Sequence, residues 1–107
     1  MSLSAEQIQS NWEEFLEYIN IYISSPRKEK VLAFYKKFED DLVLMPASHK
    51  TAYHNAFPGG YIDHVNRVIR GSLAINDTWK RFGAEQNYTV EELVFSAINH
   101  DLGKMGN

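Results

Sequence analysis

Apolar side chains return at three- and four-residue steps along four separate stretches of this chain, and no stretch alternates convincingly at every second position. A chain patterned this way buries its hydrophobic surface on helix faces. The first stretch is Ile8, Trp12, Phe15, Leu16, Ile19 and Ile23, and Ser4, three residues ahead of Gln7, makes the reciprocal cap that starts such a helix. Ser25-Pro26 stops it and opens a second, with Ser25 as N-cap and Pro26 at the first helical position, where a missing N–H costs nothing. Val31, Leu32, Tyr35 and Phe38 carry that helix to about Asp41.

From Leu42 to Gly60 the periodicity fails. Pro46, Pro58, Gly59 and Gly60 mark irregular backbone, with a short helical turn expected around 47–53, and His49 and His54 lie in this segment. A loop that rich in side-chain chemistry is expected to line a site rather than merely connect. Tyr61 begins a long helix with Val65, Val68, Ile69, Leu73 and Trp79 on its apolar stripe, ending at Phe82 with Gly83 as C-cap; His64 sits in its first turn. Thr89 and Glu92 form a second capping box, after which Val90, Leu93, Val94, Ala97 and Ile98 lead a helix into His100-Asp101. The expected fold class is all-α, a bundle of about five helices. Trp12, Phe15, Tyr35, Phe38 and Trp79 stand at helical spacing and are expected in its core rather than on a base-stacking platform.

A length of 107 residues allows one domain, 1–107, with 1–45 as helical scaffold and 46–107 bearing the motifs. A charged fraction of 23% with both signs interspersed argues against disorder, and a net charge of -3 gives no broad basic field for nonspecific nucleic-acid binding. The absence of cysteine excludes disulfides and thiolate metal sites, so any metal must use imidazole and carboxylate; this suits a reducing cytoplasm, the expected location. No signal-peptide pattern and no run of about 20 apolar residues occurs, so no membrane association is expected.

The chemistry concentrates in His100-Asp101, two metal-ligand types side by side. Adjacent helical residues point about 100° apart, so both reach one cation only where a helix ends, and Gly103 supplies such an end. His64 lies 36 positions earlier, enough for helix, loop and helix to double back. Antiparallel return brings the start of one helix to the end of the next, and two imidazoles with a carboxylate suit zinc, iron, manganese or nickel with positions open for water and a substrate oxygen. A carboxylate near a helix C-terminus is disfavoured by about 0.3–1 kcal/mol, which gives Asp101 a reason to have a cationic partner. Plainer readings stand beside these: a solvated His64, a Lys104 that merely complements the helix dipole, loop histidines at 49 and 54, and a Gly59-Gly60 that only turns the chain.

The run Pro46-Ala47-Ser48 through His54-Asn55-Ala56-Phe57-Pro58-Gly59-Gly60-Tyr61-Ile62-Asp63-His64-Val65, followed by Ala97-Ile98-Asn99-His100-Asp101-Leu102-Gly103-Lys104, resembles the HD-domain metal-dependent phosphohydrolases. It is most similar to the branch that includes HD-type 3'-to-5' exoribonucleases, over roughly residues 46 to 104. The resemblance implies hydrolysis of a phosphoester, in a phosphorylated small molecule or nucleic acid, by a water activated on a divalent metal (Mn, Fe, Ni, Zn or Mg). It assigns His64, His100 and Asp101 as metal ligands, with Asp101 also catalytic where it bridges two ions. It places Lys104 at the substrate phosphate, in a catalytic and binding role, and His54 at the mouth of the site facing substrate. The family pattern closes with a further aspartate on a later helix, which nothing here matches, so a C-terminally truncated HD domain is the expectation. The alternative is a catalytically inactive HD-like helical module for binding or oligomerisation, forming a homodimer through apolar surface left bare by missing helices.

Overall fold

Helix α1 (Ala5–Tyr22) starts at the foreseen cap: the Ser4 hydroxyl accepts from the Gln7 amide at 3.1 Å, and the Gln7 side chain accepts from the Ser4 amide at 2.8 Å. In the computed structural model, which describes residues 2–47 and 57–102, four more helices follow and no strand occurs among the described residues. They are α2 (Arg27–Lys37), α3 (Glu39–Val43), α4 (Gly60–Arg81) and α5 (Val90–Asn99). The all-α bundle of five helices is the fold. None of these helices is long and apolar enough to cross a membrane.

The second helix departs from expectation at both ends. Pro26 occupies the N-cap itself, one position earlier than foreseen, and the Ser25 hydroxyl donates to the Glu29 carboxylate at 2.5 Å instead of capping the amides. At the other end the helix does not run through to Asp41; it stops at Lys37, and Phe38 joins it to α3. A continuous helix would also have kept Leu42 on the face of Tyr35 and Phe38, so apolar spacing could not reveal the break. Charge could have: Lys36 and Lys37 close α2 while Glu39, Asp40 and Asp41 open α3, each sign at the helix end its dipole favours. The turn lets Leu42 bury completely and lets Glu39 accept from the Trp12 indole N–H at 2.9 Å.

Helix α4 is the axis of the fold, packing most extensively against α5 and then α1. Its Tyr61, Ile62, Val65 and Ile69 meet Trp12, Phe15 and Ile19 of α1 and Val94, Ala97 and Ile98 of α5 in one core. Burying each such side chain contributes about 1.5–3 kcal/mol. Its start is fixed by backbone: the Gly59 amide donates to Leu44 C=O at 3.1 Å and the Tyr61 amide to Met45 C=O at 2.9 Å. Gly59 caps it with φ +82°, and a Cβ there would stand 2.8 Å from Ile8 Cγ1, so both conformation and space call for glycine. Gly83, also at positive φ, ends it as expected. Trp79 is a correction: it is 56% exposed and not part of the core, because the C-terminal half of α4 extends past the elements that would cover that face.

Candidate metal centre

Helices α4 and α5 run so that His64, in the second turn of one, and His100, just past the end of the other, meet at the same end of the pair, with ring centroids 5.3 Å apart. Helix α5 ends at Asn99, and His100, still with right-handed helical backbone angles, leads into the turn that carries Asp101. His100 Nε2 lies 3.1 Å from Asp101 Oδ2, His64 Nε2 lies 3.4 Å from the same oxygen, and the two Nε2 atoms are 3.3 Å apart. Ligand atoms held about 2.0–2.1 Å from a metal ion stand about 2.8–3.0 Å apart at right angles and about 3.3–3.4 Å apart at the tetrahedral angle. All three edges of the triangle fall in that range. The group His64, His100 and Asp101 could therefore hold a metal ion.

The ring of His100 is set for this. Its Nδ1–H donates to the Ala97 carbonyl at 2.7 Å, and a carbonyl can only accept, so a proton belongs on Nδ1 and Nε2 is the ring atom that faces the other two groups. The site is open to solvent: His64 and Asp101 are partly buried and His100 is exposed.

Asn99, given no role in the sequence reading, supports the turn, together with Tyr35, read there only as core. Asn99 accepts from the Tyr35 hydroxyl at 2.5 Å and donates to the Phe95 carbonyl at 2.8 Å, pinning the last residue of α5 immediately before the ligand pair. The signal was a lone amide following an apolar run. Burial holds the Tyr35 phenol well above its ordinary pKa, with a smaller contribution from the nearby Tyr61. Tyr61, one turn before His64, is buried and its hydroxyl has no hydrogen-bond partner among the described residues. Burial first, and then the Asp101 carboxylate, push its pKa up to about 12. Asp63, also buried, accepts from Asn11 at 3.4 Å and from Arg67 at 3.1 Å, which ties the first turns of α4 to α1.

The structure thus brings together the three expected metal ligands. His54 and Lys104, expected at the substrate, lie outside the described residues, as do His49 and Gly103. Comparison of the chain with protein-family models, curated proteins and solved structures finds no match.

Proposed function

We propose that this chain carries the metal site of an HD-type metal-dependent phosphohydrolase, acting on a phosphoester of a nucleotide or nucleic acid. The observation that carries the reading is the triangle of three ligand atoms with edges of 3.1–3.4 Å, contributed by the residues of the Gly-Gly-x-x-x-His and His-Asp-Leu-Gly-Lys elements. A divalent ion held by His64, His100 and Asp101 would lower the pKa of a bound water toward neutrality and polarise a phosphoryl oxygen. The chain's own groups set the charge: two neutral imidazoles and one carboxylate leave a divalent ion with one uncompensated positive charge, complementary to an anionic phosphoester. Ala97 keeps the His100 proton away from the site, and the exposure of His100 leaves a path for a substrate to approach.

The test begins with metal content. Wild type equilibrated with Mn, Fe, Ni, Zn or Mg retains about one equivalent of at least one of them and melts higher in its presence, whereas His100→Ala retains none and loses the shift. A ligand at 100 times its Kd adds about 2.7 kcal/mol, or roughly 10 °C or more for a domain of this size. Equal metal occupancy in wild type and His100→Ala would overturn the assignment. Metal-dependent cleavage of bis-p-nitrophenyl phosphate then separates the enzyme from the inactive HD-like module, which binds metal and turns nothing over.

A further inference from the structure

Beyond the candidate metal centre, an unexplained feature is the solvent face of the C-terminal half of α4. Ile75, Trp79 and Phe82 are 60%, 56% and 83% exposed, although each is a large apolar side chain. At 100° per residue, Gly71, Ile75, Thr78 and Phe82 fall within about 60° of one another, and their 4-3-4 spacing is that of a helix–helix seam. Gly71 sits in open space, with nothing within 4 Å of where a Cβ would be. Trp79 flanks the seam beside a shallow groove of about 480 Å³ over Ala74, Ile75 and Thr78.

We propose that this face pairs with the same face of a second copy, α4 against α4 in antiparallel orientation across a two-fold axis. Reversal about the midpoint between Asn76 and Asp77 sets Phe82 opposite Gly71 of the second copy and Ile75 opposite its Thr78. Each large side chain then meets a small one, and each contact occurs twice, as an isologous interface requires. The flanking charges discriminate between occupants. Arg67, Arg70 and Arg81 are paired within their own chain, to Asp63 at 3.1 Å, Glu14 at 2.9 Å and Asp77 at 2.8 Å. The flank is charge-compensated, so two copies approach without like-charge repulsion, and a polyanion finds no unpaired row of arginines. At about 200 Å² per large side chain, the three exposures leave about 400 Å² of apolar surface per copy. Two copies with their small neighbours cover about 1,000 Å², the lower bound of a specific interface, so the dimer is transient and forms as concentration rises.

Sedimentation equilibrium of the purified chain over a concentration series tests this, with Trp79 fluorescence as a local readout, since the other tryptophan, Trp12, is already buried. Wild type shifts from monomer to dimer as concentration rises, and its emission moves to the blue. Phe82→Glu stays monomeric; its side chain is solvated in the single chain, so folding is untouched. Gly71→Leu also stays monomeric because it fills the space Phe82 of the second copy needs, yet it melts higher than wild type at low concentration, glycine being a poor helix former. A wild type that remains monomeric throughout, or a dimer that survives either substitution, overturns the proposal.

Discussion

The two positive-φ glycines that bound α4 provide an internal control on how the site is positioned. Gly59 and Gly83 share a left-handed backbone, φ +82° and +83°, but differ in surroundings. An alanine Cβ meets Ile8 Cγ1 at 2.8 Å at position 59 and nothing within 4 Å at position 83. The left-handed conformation costs an L-residue about 1–2 kcal/mol at either site. The clash at 59 adds about 1–3 kcal/mol, since Cγ1 belongs to the inner part of the isoleucine and cannot swing clear without moving α1. Gly83→Ala should therefore lower the melting temperature by about 10 °C and Gly59→Ala by about 20 °C, at roughly 4–8 °C per kcal/mol for a domain of this size. Thermal melts followed by circular dichroism measure both. The excess at 59 should vanish in Ile8→Ala/Gly59→Ala, judged against Ile8→Ala alone. Because Gly59 sets the start of α4 five residues before His64, Gly59→Ala should also weaken metal binding while Gly83→Ala leaves it intact. Equal melting losses at the two glycines, or an excess that survives truncation of Ile8, would refute the argument that α1 wedges the start of α4.

Two further predictions concern pH. Hydrogen bonds from the Thr89 backbone and side chain hold the Glu92 carboxyl below its usual range, so its stabilisation is present above the unfolded pKa of 4.5 and disappears as pH falls through the folded value. Glu92→Gln should flatten the acid limb of a stability–pH curve; an unchanged limb would deny the capping box its role. Tyr61 behaves oppositely: with its pKa raised from 10.0 to about 12, its contribution is complete below pH 10 and is lost as pH rises through 12. Tyr61→Phe should melt no lower than wild type at neutral pH, since it deletes a buried hydroxyl without a partner among the described residues, and should resist alkaline unfolding better. A drop at neutral pH would show that the hydroxyl is satisfied in solution.

Legibility followed the physics of each signal. Both capping boxes were readable because the pairing is local: Ser4 with Gln7 and Thr89 with Glu92 need nothing beyond three residues of chain. The convergence of His64 with His100 and Asp101 was readable because two helices joined by a short connection have little freedom but to fold back. The break at Phe38 was not readable from apolar spacing, since Leu42 serves the same face on either side of it; only the change from lysines to acidic residues marks it. Trp79 was misplaced for a different reason: periodicity identifies an apolar stripe but not whether anything covers it, and α4 at 22 residues is more than twice the length of its 10-residue neighbour α5. Asn99 went unnoticed because its role depends on Tyr35, 64 positions away.

The local chemistry at the end of α5 explains why a dipeptide so ordinary in isolation converges on one point. Adjacent helical positions point about 100° apart, yet His100 Nε2 and Asp101 Oδ2 lie 3.1 Å from each other. Asn99 anchors this end of α5: its amide spans the Tyr35 hydroxyl on α2 and the Phe95 carbonyl within α5, which fixes the last turn against the core. At the next residue, whose backbone is still right-handed helical, the Ala97 carbonyl accepts a hydrogen bond from His100 Nδ1–H. That one hydrogen bond satisfies a helix-end carbonyl and at the same time turns His100 Nε2 toward Asp101 Oδ2 and His64 Nε2. Lone pairs of three ligand atoms within 3.4 Å of one another repel unless a cation or proton lies among them. The core holds the three groups together at the mouth of α4 and α5, where they could share a metal ion.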